Sequence, residues 1–222
     1  MRNVWLLVLL PIAVSAQVNG TPPTSLPAPA TAQLVQSLAA AKSRATHLWR
    51  DTLPLNADGT VNGYIEIPRG ERKKFEFDMK ANARRIDRVM PAQLGGYPVN
   101  YGFVPQSVSY DGDPFDILVL GPPLAGGTFV KGTIVGVMFM EDEKGPDSKV
   151  VVSPLDRAGQ PRYALTTADM KRIGDYFARY KQHEPGKFSR MSGWGSAAEG
   201  LAYVRTTHAF FKKCATVVGE CR

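Results

Sequence analysis

The 222 residues contain no apolar run long enough to cross a membrane. The one long uncharged stretch, Val4 to Val14, falls well short of the roughly 20 residues that a bilayer core of about 30 Å requires. That excludes an integral membrane protein. Cysteine is scarce, with Cys214 and Cys221 alone near the C-terminal end. Without a third cysteine, and with His208 at the wrong spacing, they make no zinc site, and no catalytic role falls to them. There is no internal repeat. Disorder is excluded too, because 44% of the chain is apolar and 21% charged, enough to bury a core.

What is present begins with Arg2, the apolar run Val4–Val14 and the small-residue exit Ser15-Ala16. This is the layout of a signal peptide over residues 1–16, and it predicts an exported protein, periplasmic or secreted. A buried N-terminal helix is the alternative, weakened by the four prolines between Gln17 and Ala30, which read as a flexible Pro-rich linker, 17–30. No cysteine follows Ala16, so no lipid anchor is expected. An exported chain meets oxidising conditions, which predicts that Cys214 and Cys221 pair. The net charge of +7 favours anionic ligands without naming one.

The remainder, 31–222, reads as one domain. Leu34, Leu38, Ala41, Ala45 and Trp49 recur at helical spacing and predict an amphipathic helix over 31–51. From about residue 60 to about 155, short runs of Val, Ile, Phe and Tyr broken by Gly, Pro and Asp predict a β-sheet or small barrel. Thr166 and Asp169 form a capping box, and Met170, Ile173, Phe177 and Tyr180 then mark one face of a helix ending near Gln182. A last helix is expected over about 197–213. Strand alternation places Ile65 and Ile67 on one face and Glu66 on the other, and separates Phe75 and Phe77 from Lys74 and Glu76. Arg88 shares parity with Ile86 and Met90, so its face stays undecided.

Asp111-Gly-Asp113-Pro-Phe-Asp116 packs three carboxylates into six residues directly before the apolar run Ile117–Leu120. Such crowding repels itself unless a cation intervenes, and a hard divalent ion such as Mg²⁺ takes oxygen ligands. A solvated acidic turn is the bland alternative, better suited to two aspartates than to three. An EF-hand is excluded because Pro114 and Phe115 stand where its loop needs other residues. Asp142 and Asp147, in a charged turn after Thr133–Met140, bring the total to five aspartates, with Lys149 available for an anion.

At this motif the sequence strongly resembles the soluble family I inorganic pyrophosphatases. Ile65-Glu-Ile-Pro68, Lys74-Phe-Glu76, Asp87-Arg88, Tyr97-Pro-Val-Asn-Tyr-Gly102, Asp142 to Lys149 and Tyr180-Lys181 follow the family's order. The resemblance covers roughly Tyr64 to Trp194. It implies an α+β, mainly β fold, a five-stranded OB-like closed barrel with flanking α-helices. It further implies Mg²⁺-dependent hydrolysis of pyrophosphate to two phosphates by direct in-line attack of a metal-activated water, with Mn²⁺ or Zn²⁺ as substitutes.

By the same resemblance, Asp111, Asp116, Asp142 and Asp147 match metal ligands, supported by Glu66 and Glu76. Asp113 matches the carboxylate that takes a proton from, or orients, the attacking water. Lys74, Arg88, Tyr101, Lys149, Tyr180 and Lys181 match holders of the two phosphoryl groups. Of these, Arg88, Tyr180 and Lys181 serve the leaving phosphate, and Tyr97 lies at the cleft's edge. A homo-oligomer is implied, a hexamer ahead of a dimer. The rival reading, a basic OB-like binder of single-stranded nucleic acid, meets an acidic cluster that would repel a phosphate backbone where the binding face should be.

Overall fold

The computed structural model describes residues 20–216. Prolines read as a linker instead start the first helix. Pro27 caps α1 (Ala28–Lys42) and Pro29 lies in its first turn, where a fixed φ suits the helix and no N–H is missed. The expected linker therefore gives way to helix at Ala28, and Pro23 before it is buried. Leu34, Leu38 and Ala41 are buried as their spacing predicts.

The helix expected to run on to residue 51 breaks after Lys42. Arg50 reaches back to the carbonyls of Ala41, Arg44 and Ala45, closing the break. His47, extended at φ −145°, then caps the short α2 (Leu48–Asp51). Trp49 of α2 still joins Leu34, Leu38 and Ala41 in one cluster.

The strands are β1 (Val61–Ile67), β2 (Lys73–Asp78), β3 (Ala83–Val89), β4 (Asn100–Phe103), β5 (Asp116–Val119), β6 (Phe129–Asp142), β7 (Gly145–Pro146), β8 (Lys149–Pro154) and β9 (Ser189–Gly195). A five-strand ring runs β1, β4, β5, β8, β6, and pairing of β1 with β6 seals it. Only the long β6, of 14 residues, reaches both β8 and β1 in this way. It also pairs with β9, while β2 and β3 form a separate hairpin. The expected mainly β ring with flanking helices is thus what the chain forms. Gly102 lets β4 approach β1, since a Cβ there would lie 1.8 Å from the Tyr64 carbonyl oxygen.

Strand β5 is buried on both faces, which is why Ile117–Leu120 is a continuous apolar run and not an alternating one. Ile117 and Val119 join a cluster that includes Tyr203 and Val204 of α4 (Ala197–Thr216). Leu118 and Leu120 face the other way, toward Ile173, Tyr176 and Phe177 of α3 (Thr167–Phe177). Thr166 and Asp169 make the predicted capping box, but α3 ends at Phe177, so Tyr180 and Lys181 sit in the turns that follow it. No helix of the described residues is long and apolar enough to cross a membrane. The expected signal peptide and Cys221, hence the Cys214–Cys221 pairing, lie outside the described residues; Cys214 packs beside Trp49.

Two bulges revise the strand parities. Ile65 pairs with Gly102 and Ile67 with Tyr101, leaving Glu66 as the extra residue. Ile65 and Ile67 therefore enter different apolar clusters, against the expectation of a shared face. In β3, Arg88 pairs with Lys74 and Ile86 with Phe75, so Asp87 is the extra residue. That bulge separates Arg88 from Ile86, which is 52% exposed, and resolves the face the parity left open.

Candidate active site

Ring topology places the charged residues at one end. β5 and β8 run parallel, so their first residues, Asp116 and Lys149, lie together. β6 runs antiparallel to β8, which brings its last residue, Asp142, to the same end, next to Asp147 in the turn before β8. The β1 bulge adds Glu66, the β2–β3 hairpin adds Lys74, Glu76 and Arg88, and the loop before β5 adds Asp111 and Asp113. All of these except Lys149, together with Tyr101, Tyr180 and Lys181, line one cleft of about 560 Å³.

Two expected members lie elsewhere. Tyr97, expected at the edge, is 1% exposed and packs on Tyr101, Tyr176 and Phe177. Its neighbours are aromatic because it joins α3 to the sheet, so it shapes the cleft from behind. Lys149 lies beneath the floor, also 1% exposed. The lining further includes Gln33, Ser37, Asp87, Glu143, Lys144 and Lys187, to which the sequence reading gave no role. Lys144 and Glu143 flank Asp142 in the quoted block, and that proximity was their one signal; nothing marked Gln33.

The lining holds nine carboxylates against six cationic side chains, an acidic excess in a chain of net charge +7. Lysines bridge the carboxylates. Lys149 Nζ lies 2.5 Å from Asp116 and 2.8 Å from Asp147. Lys181 pairs with Asp142 and lies 3.1 Å from Glu143. Lys144 stands 3.2 Å from Asp111 and 3.5 Å from Asp113. Among the described residues no three carboxylates converge to enclose an ion as they stand; ammoniums contact both members of the pairs Asp116–Asp147, Asp142–Glu143 and Asp111–Asp113 instead. The donors are nonetheless all hard carboxylate oxygens, the set that suits Mg²⁺.

The remaining strain of like charge appears in the acidities. Burial, with Asp116 and Glu76 adding to it, pushes the Glu66 carboxyl well above its ordinary range. Burial and the carboxylates of Asp116, Asp111 and Asp142 push Asp147 up to about 8, against the pull of Lys149. The packed cleft wall and Asp111 push Asp113 up to about 7, a shift moderated by solvent because its side chain is 51% exposed. Arg88 commits its terminal nitrogens to Asp87 and Glu184, each at 2.7 Å, while its buried Nε has no partner.

A basic and hydroxyl-bearing wall facing an acidic floor fits a phosphate anion together with cations. A family model described as inorganic pyrophosphatase matches residues 63–212. The inorganic pyrophosphatase of Sulfolobus acidocaldarius is 38% identical over 152 residues, covering 65% of this chain and 87% of the relative. That of Aeropyrum pernix is 40% identical over 157 residues, 67% of this chain and 88% of the relative. The crystal structure of the Thermus thermophilus inorganic pyrophosphatase superposes with a TM-score of 0.68 at 34% identity, covering 75% of this chain and 99% of that one. Since the match takes in every strand of the ring and the whole acidic floor, the chain belongs to the inorganic pyrophosphatases, enzymes that hydrolyse pyrophosphate to phosphate.

Proposed function

We propose that this enzyme is Mg²⁺-dependent and works outside the cytoplasm, with the direct attack of water on the substrate and no covalent phosphoenzyme. The observation that carries the metal dependence is the acidic excess of the cleft, where lysine ammoniums contact Asp111, Asp113, Asp116, Asp142 and Asp147. Asp111, Asp116, Asp142 and Asp147 would hold the ions, with Glu66 and Glu76 in support. Bound Mg²⁺ supplies neutralisation of the diphosphate oxygens and a lowered pKa for water.

The chain's own side chains do the rest. Pyrophosphate carries about three to four negative charges, so attack on its phosphorus needs those charges met by positioned donors. Lys74 and Arg88, on paired strands, face the cleft side by side. Lys181 and the hydroxyls of Tyr101 and Tyr180 stand on the other elements that line it. Burial pushes both hydroxyls well above the ordinary tyrosine range, so each stays a proton donor toward phosphate oxygen. Lys149, paired with Asp116 and Asp147 beneath the floor, would be released from those carboxylates if they held a cation, which would leave its ammonium for the substrate. Asp113, shifted toward neutrality at the open side of the cleft, is suited to take the proton of the attacking water.

The residue 1–16 pattern supports export, and the family resemblance supports a homo-oligomer, a hexamer ahead of a dimer. Phosphate release from pyrophosphate by the purified chain tests the metal dependence. Chelation is expected to abolish it, and Asp113→Asn or Asp116→Asn to reduce it by about 100-fold or more. Undiminished turnover in chelator would sink the proposal. Cell fractionation, with the mass of the purified N-terminus, tests export.

A further inference from the structure

Helix α1 lies outside the segment matched to the family, which begins at residue 63, yet it forms part of the cleft wall through Gln33 and Ser37. Leu34, Leu38 and Ala41 anchor it to Trp49 and Phe211 on its buried side. Near its start, at Ala30 and Gln33, it rests on the loop between Asp111 and Asp113. Gly112, at φ +92°, is what allows this approach: a Cβ there would lie 3.0 Å from Ala30 Cα, from the Ala30 carbonyl oxygen and from Gln33 Cβ. From this seat the Gln33 side-chain amide donates to Asp113 Oδ1. The opposite oxygen, Oδ2, faces Lys144 at 3.5 Å.

We infer that Gln33 is a positioning residue for the reaction, holding the Asp113 carboxylate in the orientation in which it serves the attacking water. This rests on the role assigned to Asp113 above. The Asp113 carboxylate is 51% exposed on a glycine-hinged loop, so polar contacts with Asp111, Lys144 and Gln33, rather than close packing on every side, hold its rotamer. A donor on one oxygen, delivered from a helix pinned by its apolar face, adds a constraint from a fixed element to the one that the half-exposed Lys144 places on the other oxygen. The helix added ahead of the family segment thereby becomes part of the machinery.

Gln33→Met keeps the length of the side chain and removes the donor; Gln33→Glu sets a second carboxylate against Asp113. Gln36→Met makes the same change on an exposed position of α1 and serves as control. Three readouts separate positioning from architecture: steady-state kinetics with pyrophosphate and Mg²⁺, binding of the non-hydrolysable methylenediphosphonate, and melting temperature. Gln33→Met is expected to lose about tenfold in kcat and Gln33→Glu more, with KM and diphosphonate Kd changed by less than about twofold and melting unchanged. Gln36→Met is expected to match wild type. Unchanged kcat in Gln33→Met overturns the inference. So does a loss of kcat accompanied by an equal loss of diphosphonate binding or by early melting, which would make Gln33 a structural part of the wall. A wild-type protein that releases no phosphate sinks the functional reading as well, whereas an active wild type with indifferent variants sinks the inference alone.

Discussion

Lys149 Nζ lies 2.5 Å from the Asp116 carboxylate under the floor of the cleft, an ammonium with 1% of its side chain exposed. The pair joins the first residues of two parallel strands, so it ties the ring to the site. Removing one partner of a buried pair leaves the other charge uncompensated, at a cost of about 3–5 kcal/mol. Lys149→Met is therefore expected to melt well below wild type in chelator. Mg²⁺, by neutralising Asp116 and Asp147, should recover part of the difference while turnover stays low. A variant that melts like wild type in chelator would show the pair to be idle.

The acidities of the floor predict how metal binding depends on pH. Asp147 is raised from 3.8 to about 8 and Glu66 is raised as well, so the folded chain binds these protons more tightly than the unfolded chain does. The favourable contribution of Asp147 is complete below about pH 4 and is lost as pH rises through about 8, and that of Glu66 falls with rising pH in the same sense. A divalent ion competes with the same protons and replaces them. The rise in melting temperature produced by Mg²⁺ is thus expected to be small at pH 5 and larger at pH 8. An equal or smaller rise at pH 8 would contradict the assignment.

His47 behaves in the opposite sense. It is 2% exposed, its Nδ1 accepts from the Arg50 N–H at 3.3 Å, and its Nε2 donates to the Met79 carbonyl at 2.8 Å, which defines a neutral ring. Burial lowers its pKa from 6.5, so its contribution is present above that value and is lost as pH falls below it. His47→Leu is expected to cost about 1–3 kcal/mol at pH 7 by leaving both backbone groups unpaired. The penalty should shrink at pH 5. Urea titrations of the two proteins at both pH values check it.

Gly102 offers a steric test. Alanine there would drive β4 away from β1 beside Glu66, because its Cβ would fall 1.8 Å from the Tyr64 carbonyl oxygen and 3.1 Å from the Glu66 nitrogen. Gly102→Ala is expected to lose about 3 kcal/mol of stability, and turnover with it as the bulge shifts. Near-normal melting would show that the strands have room to part.

Much of this protein was legible along the chain. The capping box at Thr166, the apolar stripe of Leu34, Leu38 and Ala41, and the short strands of the ring all follow from local propensity and periodicity, which neighbouring residues decide among themselves. The aspartate cluster was equally visible, since like charges so close in sequence declare their need for a cation. The places where the reading went astray are places where distant residues decide. The break after Lys42 depends on Arg50 folding back, and Tyr97 is buried because α3 lies over it. Glu66 lines the cleft with Lys74 and Glu76 as alternation predicts, but the bulges that split Ile65 from Ile67 and turn Arg88 away from Ile86 are not foreseen by alternation along a single strand. Gln33 meets Asp113 across 80 positions. Local sequence sets which side chains are available and which segments are helix or strand; only packing determines which of them meet, because that depends on burying surface contributed by the whole chain.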